Sequence, residues 1–482
     1  QYDVINFISS PTLGGRLRVS YNAFTPTTGD VFTIVTAAAF IDDFTELSGL
    51  GFSPNVVFDY QLNTNDVTLL AVTADLMGTV SDDVLNATPT INEFITGDLG
   101  DDSIFGVSDG DTVFGQGGND VIEANSAFKR IDGGDGVDTL VLAESLNYTT
   151  TFIPAHFIDD IEILSLEGNG AQTIQLDEIA IFQIVDGLNS FTGFDNDLFI
   201  VGDEGDLVQL YTSSGLSGDF AVAASVYLDP QNNGVDEHFS VVEHQNVDVA
   251  LFVDESVRLE VTRGDSSLIL LAGSEDDVVN PSSTSDYLAG RLGNDMIDGG
   301  AGDDAIYGGD GDDILSGGSG VDTVSGGNGD DSLVYDPLDV LNGDLGLDTL
   351  MLADSIDFTG LGGMLNLLSG FEKVDLTNAV PNTITMAIDN LIDWVADNAL
   401  DSFIADGKSK IAITGDASDQ IILDGQDLSN ITGNTLMNGV TSDFIELNDP
   451  IGDGNNYISF FNVANTAHLL VNSLLVDPDP MG

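Results

Sequence analysis

The sequence predicts an all-β, solenoid-like elongated chain in which two parallel β-rolls alternate with β-rich modules, the whole arranged as a tandem duplication. Three observations carry this. A nine-residue phrase recurs in fixed register in two blocks. Short alternating apolar segments bounded by Gly, Asn and Asp fill the intervals between them. The sequence that follows one block matches the sequence that follows the other.

The phrase is clearest at 299–334, which reads GGAGDDAIY, GGDGDDILS, GGSGVDTVS and GGNGDDSLV. Placing Asp at position six and an aliphatic at position eight extends the frame to 272–334, through AGSEDDVVN, PSSTSDYLA and GRLGNDMID. Position six is then Asp277, Asp286, Asp295, Asp304, Asp313, Asp322 and Asp331. Position eight is Val279, Leu288, Ile297, Ile306, Leu315, Val324 and Leu333. After an eight-residue slip, GDLGLDTLM (343–351) resumes the frame. An earlier ladder tiles 97–141 as GDLGDDSIF, GVSDGDTVF, GQGGNDVIE, ANSAFKRID and GGDGVDTLV. TPTINEFIT (88–96) and, one residue out of phase, GTVSDDVLN (78–86) lead into it.

Each part of the phrase has a physical reason. The glycines (Gly299, Gly300 and Gly302; Gly308, Gly309 and Gly311; Gly317, Gly318 and Gly320) permit a tight turn in which carbonyls converge. The apolar-alternating half makes a short strand with one residue facing inward. Two nonapeptides make one coil, so every second Asp stacks on the same edge, about one strand spacing (~4.8 Å) from its neighbour. Carboxylates that close do not all stay ionised without a cation between them. Calcium, which takes carboxylate and carbonyl oxygens, meets that need.

These ladders resemble the RTX repeat, G-G-x-G-x-D-x-U-x, which forms a calcium-binding parallel β-roll. The resemblance implies several calcium ions. Those of the second ladder would lie between Asp295 and Asp313, Asp313 and Asp331, and Asp304 and Asp322. Asp277 and Asp286 belong to glycine-poor units and would make weaker sites. In the first ladder Asp102, Asp120 and Asp138 share one edge. The other edge carries Glu93, Asp111 and Lys129. Lys129 departs from the pattern. No calcium is expected beside it, and either its ammonium takes the ion's place or it is a solvated residue in a broken turn.

Charge points the same way. The 482 residues hold 81 acidic side chains against 10 Lys and Arg, a formal net charge of −71. Nucleic acid and anionic membranes are disfavoured as partners, because neutralising phosphate needs a basic face. At 42% apolar the chain is not a disordered acidic tail. With no cysteine there is no disulfide scaffold, thiolate metal site or Cys nucleophile. No apolar run reaches membrane-spanning length. The sequence starts at Gln1 without a charged-then-apolar leader, as expected of a processed or excised piece.

The duplication sets the domain plan. GVDTLVLAES (136–145) matches GLDTLMLADS (346–355), IEILSLEGNGAQTIQL (161–176) matches FEKVDLTNAVPNTITM (371–386), and IVGDEGDLVQL (200–210) matches ITGDASDQIIL (413–423). FSVVEHQNVDVALFVDESV (239–257) pairs more loosely with ISFFNVANTAHLLVNSLLV (458–476). The expected parts are a β-rich cap or solenoid end at 1–77, roll 1 at 78–141, module 1 at 142–271, roll 2 at 272–351 and module 2 at 352–482. One helix is expected near 388–405, with Lys408 and Lys410 facing its C-terminal carbonyls. The modules resemble segments that follow RTX ladders in large bacterial surface proteins and adhesins.

A search for catalytic chemistry finds little. None of His156, His238, His244 and His468 sits in H-E-x-x-H. GVSDG (106–110) spells a nucleophile elbow but lies inside a ladder, where a turn is the plainer reading. EHFSVVEH (237–244) puts His238 and His244 on one strand face. Arg263-Gly264-Asp265 spells an adhesive tripeptide, read here as a cap on the second ladder. The expectation is a secreted, extracellular, non-enzymatic calcium-binding structural protein of a bacterial cell surface, in a surface layer, filament, matrix or adhesin stalk. Calcium, further copies of itself and other surface proteins are the expected partners, without membrane insertion. The alternative is an RTX-bearing extracellular enzyme fragment, a polysaccharide lyase, epimerase or hydrolase. RTX proteins typically leave by type I secretion, and the Pro-rich ending LLVDPDPMG departs from that pattern.

Overall fold

In a computed structural model of the chain, Gln1–Asp265 and Ser266–Gly482 form two compact units. The structure describes most of 66–386, apart from 90–91, 109, 150–156, 178–179, 182–183, 186–196, 213–219, 229–236, 245–249, 264–265, 280–282, 358–366 and 378–380. Beyond that range it describes 5–6, 16–18, 28–29, 31–36, 46–48, 51–53, 56–62, 409–414, 419–423, 426–427, 441–448, 456–461 and 467–472. The expected helix at 388–405 lies outside the described residues, as does Lys408. Lys410 sits in the strand Ser409–Thr414, opposite His468.

In the first unit a parallel sheet runs Leu76–Met77, Phe94–Leu99, Thr112–Gly117, Arg130–Asp135, Phe157–Asp159. Facing it, a second parallel stack runs Val84–Asn86, Ser103–Val107, Val121–Ala124, Thr139–Leu142, Ile163–Ser165, Asp197–Val201, Ala250–Asp254. Each coil thus spends one nonapeptide on each sheet, and Phe94 pairs with Thr112 as Ser103 pairs with Val121. The position-eight aliphatics form the two inward rows. Ile95, Val113 and Ile131 face one way, Ile104, Ile122 and Leu140 the other, all at 0% exposure. Burying one such side chain stabilises by roughly 1.5–3 kcal/mol.

The second unit repeats the plan. One stack runs Leu268–Leu271, Tyr287–Leu292, Ala305–Asp310, Thr323–Asn328, Val340–Leu345, Leu368–Ser369. The other runs Val278–Val279, Met296–Asp298, Ile314–Ser316, Ser332–Val334, Thr349–Met351, Lys373–Asp375, Ser409–Thr414, Ala467–Asn472. The eight-residue slip is absorbed between coils, where Thr323 pairs with Val340 and Ser332 with Thr349.

The modules extend these stacks. Module strands cover the last ladder strand, whose free N–H and C=O groups would otherwise form an open edge. Each unit ends in antiparallel strands, Glu237–His244 and Phe220–Leu228 in the first, Asn456–Phe461 and Thr441–Asn448 in the second. The loosely matched segments 239–257 and 458–476 therefore form the same hairpin. One sheet differs from the rolls: Val31–Thr36, Asp66–Thr73, Val56–Leu62 and Gly51–Ser53 pair antiparallel. No helix among the described residues is long and apolar enough to cross a membrane.

Candidate calcium ladders

The position-six carboxylates line up along the coil edges, each hydrogen-bonded to the coil before it. On one edge of the second unit the N–H groups of Asp277, Asp295, Asp313 and Asp331 donate to Oδ1 of Asp295, Asp313, Asp331 and Asp348 at 2.8–2.9 Å. On the other edge Leu268, Asp286, Asp304 and Asp322 donate to Asp286, Asp304, Asp322 and Asp339. In the first unit Asp83, Asp102 and Asp120 donate to Asp102, Asp120 and Asp138.

One oxygen of each carboxylate is thereby used, and in ten of them the other is not. Oδ2 of Asp102, Asp120, Asp138, Asp295, Asp304, Asp313, Asp322, Asp331, Asp339 and Asp348 is buried without a hydrogen-bond partner. Ten bare anionic oxygens are a large desolvation cost unless something positive meets them. Burial pushes these carboxyls upward from 3.8. Asp102, Asp304, Asp331 and Asp339 reach about 6, Asp120, Asp295 and Asp313 about 7, Asp348 about 8 and Asp138 about 9.

The glycine turn supplies the remaining oxygens. A Cβ on Gly308 would lie 2.1 Å from Asp313 Oδ2 and 2.4 Å from the Gly326 carbonyl. Gly299, Gly317 and Gly326 stand in the same relation to Asp304, Asp322 and Asp331. Position four is as crowded: a Cβ on Gly311 or Gly320 would lie 1.7 Å from the carbonyl of Gly293 or Gly302. At position two Gly300, Gly309 and Gly318 have φ of 84°, 125° and 91°. Arg291, Gln116, Asp98 and Asp344 hold that left-handed conformation without being glycine. Among the described residues no three His, Asp or Glu side chains form a cage by themselves. The donor set is therefore carboxylate plus backbone carbonyl, which suits calcium's preference for six to eight oxygens in flexible geometry.

Three units with an incomplete glycine turn are satisfied differently. Asp83 Oδ2 accepts the Thr79 N–H at 2.6 Å, and Asp277 Oδ2 the Gly273 N–H at 2.9 Å. Asp111 takes the Glu93 N–H on Oδ1 and the Ser108 N–H on Oδ2, both at 2.8 Å. Here a backbone donor occupies the place that elsewhere is left to a cation. Lys129 is exposed, its ammonium 5.8 Å from the centre of the Phe94 ring, so it does not take an ion's buried position. The buried cation of this edge is its neighbour Arg130, bonded to Asp132 at 2.8 Å and Asp159 at 2.9 Å.

Asp339, in the slipped unit, escaped the repeat pattern, whereas Asp348 is position six of the resumed frame GDLGLDTLM. A second, outer ladder uses position five: Asp276, Asn294, Asp312 and Asp330 accept the N–H of Asn294, Asp312, Asp330 and Leu347. Its signal was the paired Asp or Asn-Asp before each strand. The other motifs have structural partners. Ser108 is a turn residue. His238 pairs with Glu255 at 2.5 Å and stacks on Tyr227, while His244 packs edge-on to Phe220. Arg263 donates to the Phe220 carbonyl.

Stacked parallel coils whose glycine turns present carbonyls to buried carboxylates define a calcium-binding β-roll. The family description of the RTX calcium-binding nonapeptide repeat, in four copies, matches residues 91–126, 281–315 and 298–333, and these ladders are RTX repeats. No curated protein matches the chain.

Proposed function

We propose that this chain is a secreted structural protein of a bacterial cell surface whose two rolls fold as they load calcium. The observation that carries this is the row of buried, unpartnered Oδ2 atoms, all but that of Asp339 set against a glycine turn. A roll without cations keeps its aliphatic rows but concentrates like charge along its edges. Calcium offsets that charge, so binding free energy becomes folding free energy. In this reading the role is mechanical, since among the described residues the ladder carboxylates repeat along the coils. Stacked strands also leave sheet ends able to pair with another copy, which supports assembly into a lattice or fibre.

Chelation tests the first claim. Circular dichroism and melting temperature should both fall with chelator and return with calcium; traces that ignore chelator would sink it. Electron microscopy tests the second, with calcium-dependent filaments or sheets expected. Monodisperse particles in both conditions would leave calcium loading intact and remove assembly.

A further inference from the structure

Both ladders end in the same way, outside the residues matched as RTX repeats. In the first unit Asp138 is fully buried and its Oδ2 has no hydrogen-bond partner. No further nonapeptide stacks on it. The chain instead returns as module, and Glu162 Oε2 accepts the Asp138 N–H at 2.8 Å across a separation of 24 residues. Glu162 and Ile163 donate their N–H groups to the Asp138 carbonyl at 3.2 and 3.0 Å. The Asp160 carbonyl lies 2.0 Å, and Asp138 Oδ2 2.6 Å, from the point a Cβ on Gly133 would occupy. One coil earlier, beside Gly115, the Gly133 carbonyl and Asp120 Oδ2 hold the same two places at 2.4 and 2.2 Å.

The second unit repeats each contact. Glu372 Oε2 accepts the Asp348 N–H at 2.9 Å, also 24 residues away. Glu372 and Lys373 donate to the Asp348 carbonyl at 3.1 and 3.0 Å. The Gly370 carbonyl and Asp348 Oδ2 lie 2.2 and 2.6 Å from the Cβ point of Gly343. Asp160 and Gly370 share a left-handed backbone, φ 51° and 73°. Gly370 adopts it freely; Asp160 adopts it against the clash of its Cβ with the following carbonyl. None of the ion pairs among the described residues reaches Asp138, Glu162, Asp348 or Glu372. Two buried acids side by side, one with a bare oxygen, call for a positive charge.

We propose that each ladder closes on a composite site for a hard divalent cation, made jointly by roll and module: Asp138, the Asp160 carbonyl and Glu162 in one unit, Asp348, the Gly370 carbonyl and Glu372 in the other. The ion staples the last coil to the strand that covers it, so calcium orders the start of each module as well as the ladder. This rests on the calcium reading of the rolls.

The test uses the full chain with Glu162→Gln, Glu372→Gln and the double variant. Glutamine keeps an acceptor oxygen of the same shape but not the charge. Native mass spectrometry counts bound calcium, and amide hydrogen exchange is followed with calcium or chelator. Each single variant should lose one ion and the double variant two. Calcium-dependent protection at 157–165 or 368–375 should fall at least tenfold while amides at 295–333 keep theirs. Retention of either the ion count or that protection overturns the proposal, leaving the glutamates as plain acceptors. Should a variant fail to fold, exchange in the unaltered chain decides. Protection at 157–165 and 368–375 must rise with calcium, and silence there while 295–333 responds overturns this inference alone. Amides at 295–333 that ignore calcium would instead defeat the reading beneath it.

Discussion

Asp313 and Asp111 occupy the same place in the nonapeptide and do different work. Asp313 has one oxygen on a backbone N–H and one bare, whereas both oxygens of Asp111 accept N–H groups. Asp313→Asn should therefore lower the calcium stoichiometry seen by titration calorimetry, and Asp111→Asn should leave it unchanged. Equal losses from both would mean that the bare oxygen is not what binds. Gly308→Ala forces a methyl to within 2.1 Å of Asp313 Oδ2 and 2.4 Å of a carbonyl. It should cost about 1–3 kcal/mol or more by denaturant titration in calcium. Gly168→Ala meets nothing within 4 Å, so only its left-handed φ of 81° opposes it and the loss should be smaller. Arg130 is a different kind of residue. Its removal strands Asp132 and Asp159 in the interior, and Arg130→Ala should destabilise by about 3–5 kcal/mol with calcium present or absent. A loss seen only in calcium would show that the arginine acts through the metal.

Along each coil, two demands alternate every nine residues. The strand half needs one inward aliphatic, and the turn half needs backbone that only glycine adopts without strain. Both were legible because each demand falls on a single position. The slipped unit shows the limit of that legibility: YDPLDVLN has no glycine turn, yet Asp339 still accepts the Asp322 N–H at 3.0 Å, because the sheet register absorbs the missing residue. At the start of each ladder, where the glycine turn is incomplete, the carboxylate is held by a backbone N–H instead, as Asp83 and Asp277 are. Ladder stability without metal should accordingly depend on how many bare carboxylates a roll contains.

Across the whole chain, the raised carboxyls set a pH dependence with a definite sign. In the metal-free protein these groups titrate at about 6 to 9 when folded, against 3.8 as the ordinary aspartate value. Between those values the folded state binds more protons than the unfolded one, so stability falls as pH rises. With chelator, the melting temperature should be higher at pH 5 than at pH 8. With calcium the difference should shrink or reverse, since the ion takes the place of the protons. A metal-free protein that melts higher at pH 8 would contradict the burial of these carboxylates.

The sequence by itself determined the coil. Period, inward aliphatics, turn glycines and the two copies are all local or repeated features, and a repeat states its own register. Only the tertiary structure decided what closes each coil stack. Asp138 meets Glu162, Asp348 meets Glu372, and Arg130 meets Asp159 across 29 residues. The acid pairs occur once per unit and the arginine pair in the first, at no fixed period, and all are chosen by where the chain returns after leaving the ladder. The two copies of IEILSL and FEKVDL matched as sequence, but that their acidic residues cap a ladder follows only from the parallel strand that brings them back to its last exposed edge.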